Sequence, residues 1–183
     1  LSVAEIGELV ALYAQAARNA MAAGFDGVEI HAANGYLVNQ FISAHANHRS
    51  DEYGGSLQNR LRFLREIVQA VGEVVGPERL GVRFTPLFSS TDEDRVYIGL
   101  VEDDPHQTYL EAIAVLERAG VGYLSIAEAD WDKAPELPLA FRHAVRAAFG
   151  NDPHIIEPGL RQQLRHRLGA AMNLWPAIRV GPH

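Results

Sequence analysis

Residues 24–36 read Gly-Phe-Asp-Gly-Val-Glu-Ile-His-Ala-Ala-Asn-Gly-Tyr. From Phe25 to His31 this run is short, β-prone and bounded by Gly24 before it and Asn34-Gly35 after it, which predicts a buried strand rather than another helix. Upstream, Ile6, Leu9, Val10, Tyr13, Ala17 and Met21 recur at three- and four-residue steps, so an amphipathic helix precedes the strand. Ser2 and Glu5 stand at capping-box spacing at its start, and Gly24 ends it.

The same order recurs downstream. Leu61, Leu64, Ile67, Val68 and Val71 mark a helix that stops near Gly76-Pro77, and Leu80-Gly81-Val82-Arg83-Phe84 makes a strand closed by Thr85-Pro86. A third round runs from a helix over Tyr109–Ala119 through Gly120 to the strand Tyr123-Leu124-Ser125-Ile126, and a helix over Leu139–Phe149 begins a fourth. Helix, glycine and short apolar strand in repetition predict a parallel sheet of β/α units. The long loops, residues 32–59, 85–104 and 127–137, all follow strands, and in such folds the loops at strand C-termini build the active site. No glycine-rich dinucleotide fingerprint follows a strand, so a (β/α)8 TIM barrel is favoured over a doubly wound sheet. A whole barrel takes roughly 250 residues. The 183 residues therefore read as a partial barrel of about three to four units, and its open edges would call for association with another chain or segment.

Composition narrows the function. With 48% hydrophobic and 21% charged residues and no cysteine, the chain reads as a globular protein without a disulfide framework. No apolar run approaches a membrane span and no secretory layout opens the sequence, so a cytoplasmic location is expected. A net charge of −7 disfavours nucleic acid and favours a small-molecule partner. The charge is uneven: residues 1–150 hold 12 basic against 21 acidic side chains, and residues 151–183 hold 4 against 2, which predicts a boundary near Asn151.

At the end of the first strand, His31, Asn34 and Tyr36 form the sharpest constellation. If the chain turns helically there, His31 and Asn34 project from neighbouring positions at i and i+3, and Tyr36 lies on the adjoining arc. Two donors converging on one oxygen polarise a carbonyl or nitro group and stabilise the charge that develops when hydride adds to the conjugated carbon. A phenol, protonated at neutral pH, can then supply a proton to the adjacent carbon. The same residues also suit a strand end, a turn and a core aromatic without catalysis. Arg83 interrupts an apolar strand and needs a partner, either an internal carboxylate such as Glu29 or Glu128 or the electron-rich end of a bound ring. His45 and His48 share the i, i+3 spacing of metal ligands, but nothing completes a ligand set, so no metal is expected. Asp51 to Ser56 reads as an architectural loop, and Asp92-Glu93-Asp94 and Glu102-Asp103-Asp104 as solvated loop charges, the second run capping the following helix.

The run from Gly24 to Arg60, GFDGVEIHAANGYLVNQFISAHANHRSDEYGGSLQNR, resembles the old yellow enzyme family of FMN-dependent NAD(P)H:flavin oxidoreductases and ene reductases. The resemblance continues through LGVRFTP and YLSIAEADW to about Phe149. It implies a TIM barrel with FMN at the C-terminal mouth, reduced by NADH or NADPH and reoxidised by an activated alkene or nitro compound. It further implies that His31 and Asn34 bind the substrate oxygen, that Tyr36 donates the proton and that Arg83 faces the flavin pyrimidine edge. Trp131 resembles an aromatic of the substrate pocket in the N-ethylmaleimide reductase branch. The family's first three strands have no counterpart here, and residues 151–183 diverge. Read one nucleotide later, Leu174–Ala177 can spell a family-like Phe-Gly-Arg-Pro, so a frame-shifted tail is one expectation. Two alternatives stand beside the reductase: an inactive barrel fragment or assembly partner, and a barrel glycosidase using Glu29 and Glu128 as paired carboxylates.

Overall fold

Helix α1 (Val3–Ala22) begins with the expected capping box: the Ser2 hydroxyl accepts from the Glu5 amide at 3.2 Å and the Glu5 carboxylate accepts from the Ser2 amide at 2.6 Å. Two free amides of the first turn are thereby satisfied. Gly24, at φ +87°, ends the element in the left-handed region. In the computed structural model, residues 1–86, 102–127 and 137–150 and the backbone of residues 154–156 are described.

Strand β1 (Val28–His31) follows, then the short helices α2 (Leu37–Ile42) and α3 (Leu57–Arg60), neither of which has enough residues to display a helical period in the sequence. Helix α4 (Arg62–Val75) stops at Gly76 and a single 3-10 turn leads into β2 (Leu80–Phe84). Helix α5 (Pro105–Ala119) starts a turn earlier than the apolar period indicates, because Pro105 fits its first position and the Asp104 carboxylate accepts from the Gln107 amide at 2.8 Å. Strand β3 (Tyr123–Ala127), helix α6 (Leu139–Ala148) and strand β4 (His154–Ile156) complete the described elements.

The strands pair in parallel in the order β1-β2-β3-β4, with Ile30 beside Val82 and Val82 beside Leu124. Sequential order with no reversal is the order of consecutive units in a (β/α)8 barrel; a doubly wound sheet would reverse at a switch point. The sheet thus bears out the partial barrel. Strand β4 lies beyond the composition boundary near Asn151, so the fourth unit includes residues whose charge balance already differs. Residues 157–183, including the segment expected to be frame-shifted, lie outside the described residues, as does the run Asp92-Glu93-Asp94.

Period-two alternation gives the sheet two distinct faces. Ile30, Val82, Phe84, Leu124 and Ile126 are buried against the helices, where Phe63, Leu64, Ile67, Ile113 and Leu116 are fully covered. Phe41 on α2 stacks on Phe63 of α4 with ring centroids 4.4 Å apart, tying the segment after β1 to the helical layer. Glu102 departs from the expected solvated charge. It is 6% exposed, its carboxylate accepts from the Ala44 amide at 3.0 Å and from the Thr108 hydroxyl at 3.3 Å, and Arg60 lies 3.5 Å away. The expected architectural loop is present: Asp51 pairs with Arg49 and accepts from the Tyr53 amide at 3.1 Å, and Ser56 caps α3. Among the described residues no helix is long and apolar enough to cross a membrane.

Candidate active site

The other face of the sheet is polar. Register places Glu29, Gly81 and Tyr123 in one row across β1, β2 and β3, and His31, Arg83 and Ser125 in the next row toward the C-terminal ends. In the lower row the Tyr123 ring lies across Gly81, in line with the Glu29 carboxylate on the far side. Only glycine permits this crossing: a Cβ at residue 81 would fall 2.1 Å from the Tyr123 ring. Burial, reinforced by the Glu29 charge, pushes the Tyr123 phenol well above its ordinary range.

In the upper row His31 ends β1 directly beside Arg83. Partial burial and then the Arg83 charge hold the imidazole below its ordinary pKa of 6.5, with Glu29 opposing more weakly. The ring is therefore neutral at pH 7. Arg83 is half-buried, and among the described residues no carboxylate comes within ion-pair distance of it. Glu29, one of its expected internal partners, stands in the row below; Glu128, the other, lies outside the described residues.

The chain leaves β1 by a route different from the helical turn expected. Asn34 at φ +58° and Gly35 at φ +73° are both left-handed, and the Tyr36 amide donates to the Ala33 carbonyl at 3.1 Å. This is the type I′ arrangement, which Asn-Gly tolerates better than other pairs. The turn brings the Tyr36 ring back over the strand end, 5.4 Å from the His31 ring at an interplanar angle of 50°. Tyr36 is 62% exposed. Asn34 is half-buried, and its Oδ1 is buried with no hydrogen-bond partner.

Three residues that the sequence reading passed over fix this turn. Thr85, just after β2, accepts from the Asn34 amide at 2.8 Å through its hydroxyl. Asn39 on α2 accepts from the Gly35 amide at 2.9 Å, and its Nδ2 donates at 3.2 Å to Tyr109 of α5. Asn39 is a polar residue on an otherwise apolar helix face beside Val38, Phe41 and Ile42, which is the signal that could have found it.

The fit to a flavin rests on this chain's own residues: among the described residues, Arg83 has no carboxylate within ion-pair distance, and two buried polar atoms, Asn34 Oδ1 and Ser125 Oγ, in or beside the same row, have no hydrogen-bond partner. Buried polar atoms ordinarily have partners, so such orphans mark where a ligand's polar edge belongs. Trp131, the expected pocket aromatic, lies outside the described residues. His45 contacts Asp103 at 3.0 Å, and no cluster of three or more metal-binding side chains forms among the described residues.

Comparison with known proteins places these features in a family setting. The model of the NADH:flavin oxidoreductase / NADH oxidase family matches residues 1–139. The chain is 44% identical over 131 residues to a probable flavin mononucleotide-dependent alkene reductase of Leishmania infantum, covering 72% of this chain and 34% of that protein. A structure of morphinone reductase in complex with tetrahydroNAD superposes with a TM-score of 0.75 at 40% identity, over 91% of this chain and 43% of that one. An old yellow enzyme homologue from Zymomonas mobilis gives a TM-score of 0.73 at 31% identity, over 91% and 46%. The chain thus spans between a third and a half of the length of these relatives.

Proposed function

Because the chain belongs to the NADH:flavin oxidoreductase / NADH oxidase family, we propose that it carries the substrate-facing side of an FMN-dependent reductase acting on activated alkenes or nitro compounds. The carrying observation is the His31–Tyr36 pair, two rings 5.4 Å apart at the C-terminal end of β1, on the same polar face as Arg83. Neutral His31 and the Asn34 carboxamide bind the carbonyl or nitro oxygen, which polarises the conjugated bond and stabilises the charge that builds on it. Tyr36, exposed at the mouth, gives its proton to the neighbouring carbon and recovers one from solvent. Arg83 holds the electron-rich edge of the flavin ring. FMN held at this face and reduced by NADH or NADPH would supply the hydride.

The span of the chain relative to its relatives bears on how the site is completed. Flavin contacts from other barrel units would come from a further segment or chain that pairs with the outer strand β1, and a chain lacking that complement is the inactive-fragment alternative. The glycosidase alternative gains no support, since the family model that matches is one of flavin oxidoreductases and Glu128 lies outside the described residues.

Absorption spectroscopy and half-reaction kinetics test the proposal. The purified chain, with its complement if one is required, should take up about one FMN. Tyr36→Phe should slow alkene reduction and leave flavin reduction by NAD(P)H nearly unchanged. Equal slowing of both half-reactions would remove Tyr36 from the role of proton donor, and a protein that acquires no flavin under any of these conditions would sink the reductase reading.

A further inference from the structure

Asn39 is 1% exposed on a helix of six residues, and both ends of its carboxamide are used. Its Oδ1 accepts from the Gly35 amide, which fixes the amide orientation, since an Nδ2 in that place could not accept. Its Nδ2 therefore donates to the Tyr109 hydroxyl, and that hydroxyl, fully buried, has its own proton left for the Thr85 carbonyl at 3.5 Å. Thr85 closes the circuit from the other side by accepting from the Asn34 amide. The bonds run in one direction, from the turn through α2 to α5 and back to the end of β2.

We propose that Asn39 is a positioning residue: with Tyr109 and Thr85 it forms a buried strut that holds the Asn34–Tyr36 turn in the conformation that sets the Tyr36 phenol against the His31 imidazole. Its bearing on catalysis rests on the roles proposed above for those two rings. The strut matters because the turn is otherwise weakly determined. Tyr36 is mostly exposed, and both central residues of the turn occupy a region that a loosened loop would leave. Without an acceptor, the Gly35 amide would also be left facing a buried site. The hydrogen bonds of Asn39 go to the Gly35 amide and the Tyr109 hydroxyl and to neither ring, so it acts through the backbone between them.

The test is nuclear magnetic resonance of the full chain, with two readouts that need neither flavin nor substrate. Tyr36 shifts the His31 ring protons through its ring current, and the Gly35 amide is protected from exchange by its bond to Asn39. Asn39→Ala should move the His31 ring resonances toward those of the Tyr36→Ala variant and speed Gly35 exchange about tenfold or more, as expected of local opening. Asn39→Asp keeps an acceptor for the Gly35 amide and should slow its exchange relative to Asn39→Ala. Tyr109→Phe removes a single oxygen and should give an intermediate shift; it carries the same comparison if Asn39→Ala does not fold. Unchanged ring resonances and Gly35 exchange in the folded alanine or phenylalanine variant would overturn the proposal. The proton-donor reading fails separately: if Asn39→Ala displaces the rings and Tyr36→Phe leaves alkene reduction intact, the strut stands and the assignment of Tyr36 falls.

Discussion

Arg60 and Glu102 face each other 3.5 Å apart with side chains only 12% and 2% exposed, joining the loop after β1 to the start of α5. Both members have further partners: Arg60 donates to the Ile42 carbonyl at 2.8 Å and the Gly55 carbonyl at 3.1 Å, and Glu102 accepts from Ala44 and Thr108. Removing one member strands the other. Glu102→Ala should destabilise the fold by about 3–5 kcal/mol, the usual result of breaking a buried pair. Glu102→Gln, which keeps an acceptor for the Ala44 amide, should cost less, and urea unfolding midpoints with unchanged slope would measure both.

Gly81→Ala places a methyl group into the Tyr123 ring and should cost about 1–3 kcal/mol through overpacking. The penalty should largely disappear in a Tyr123→Ala background. A double-mutant cycle showing additive effects would mean that the ring is not what Gly81 makes room for.

The His31 titration gives a signed prediction. Its folded-state pKa is depressed by burial and by Arg83, so the unfolded chain takes up the proton first as pH falls. The contribution to stability is present in full above about pH 6.5 and is lost as pH drops through the lower folded value. Arg83→Met should move the His31 pKa back up toward 6.5, read from ring-proton shifts against pH. No movement would show that the guanidinium charge does not reach the imidazole.

Asn34 combines a backbone requirement with a side-chain role, and two substitutions separate them. Asn34→Gly keeps the left-handed φ and removes the carboxamide; Asn34→Ala removes both and should be less stable than the glycine variant by roughly 1–2 kcal/mol. Both should weaken binding of a carbonyl ligand. A glycine variant that binds as tightly as the parent would exclude the carboxamide from the oxygen site.

The repeating units were legible because α1, α4 and α5 each bury an apolar stripe long enough to show its period, and because Gly24, Gly76 and Gly120 stand where each helix ends. His31 and Arg83 were legible as polar residues closing or interrupting apolar strands, and pairing register sets them side by side. The geometry of the Asn34 turn was not, since spacing alone cannot distinguish a helical turn from one with two left-handed residues. Glu102 and Asn39 were hidden for a different reason. Each owes its role to partners distant in sequence, Arg60 in one case and Tyr109 in the other, and a local reading of an acidic run or a short helix carries no trace of them.

The bond from the Gly35 amide to Asn39 also bears on chemical ageing. An asparagine followed by glycine is prone to deamidation, in which the glycine nitrogen attacks the neighbouring side-chain carbonyl to form a cyclic imide. In this protein that nucleophile is tied down on α2, within a backbone conformation stapled at both central amides, so the residue most exposed to slow self-modification is shielded by the contacts that fix its shape.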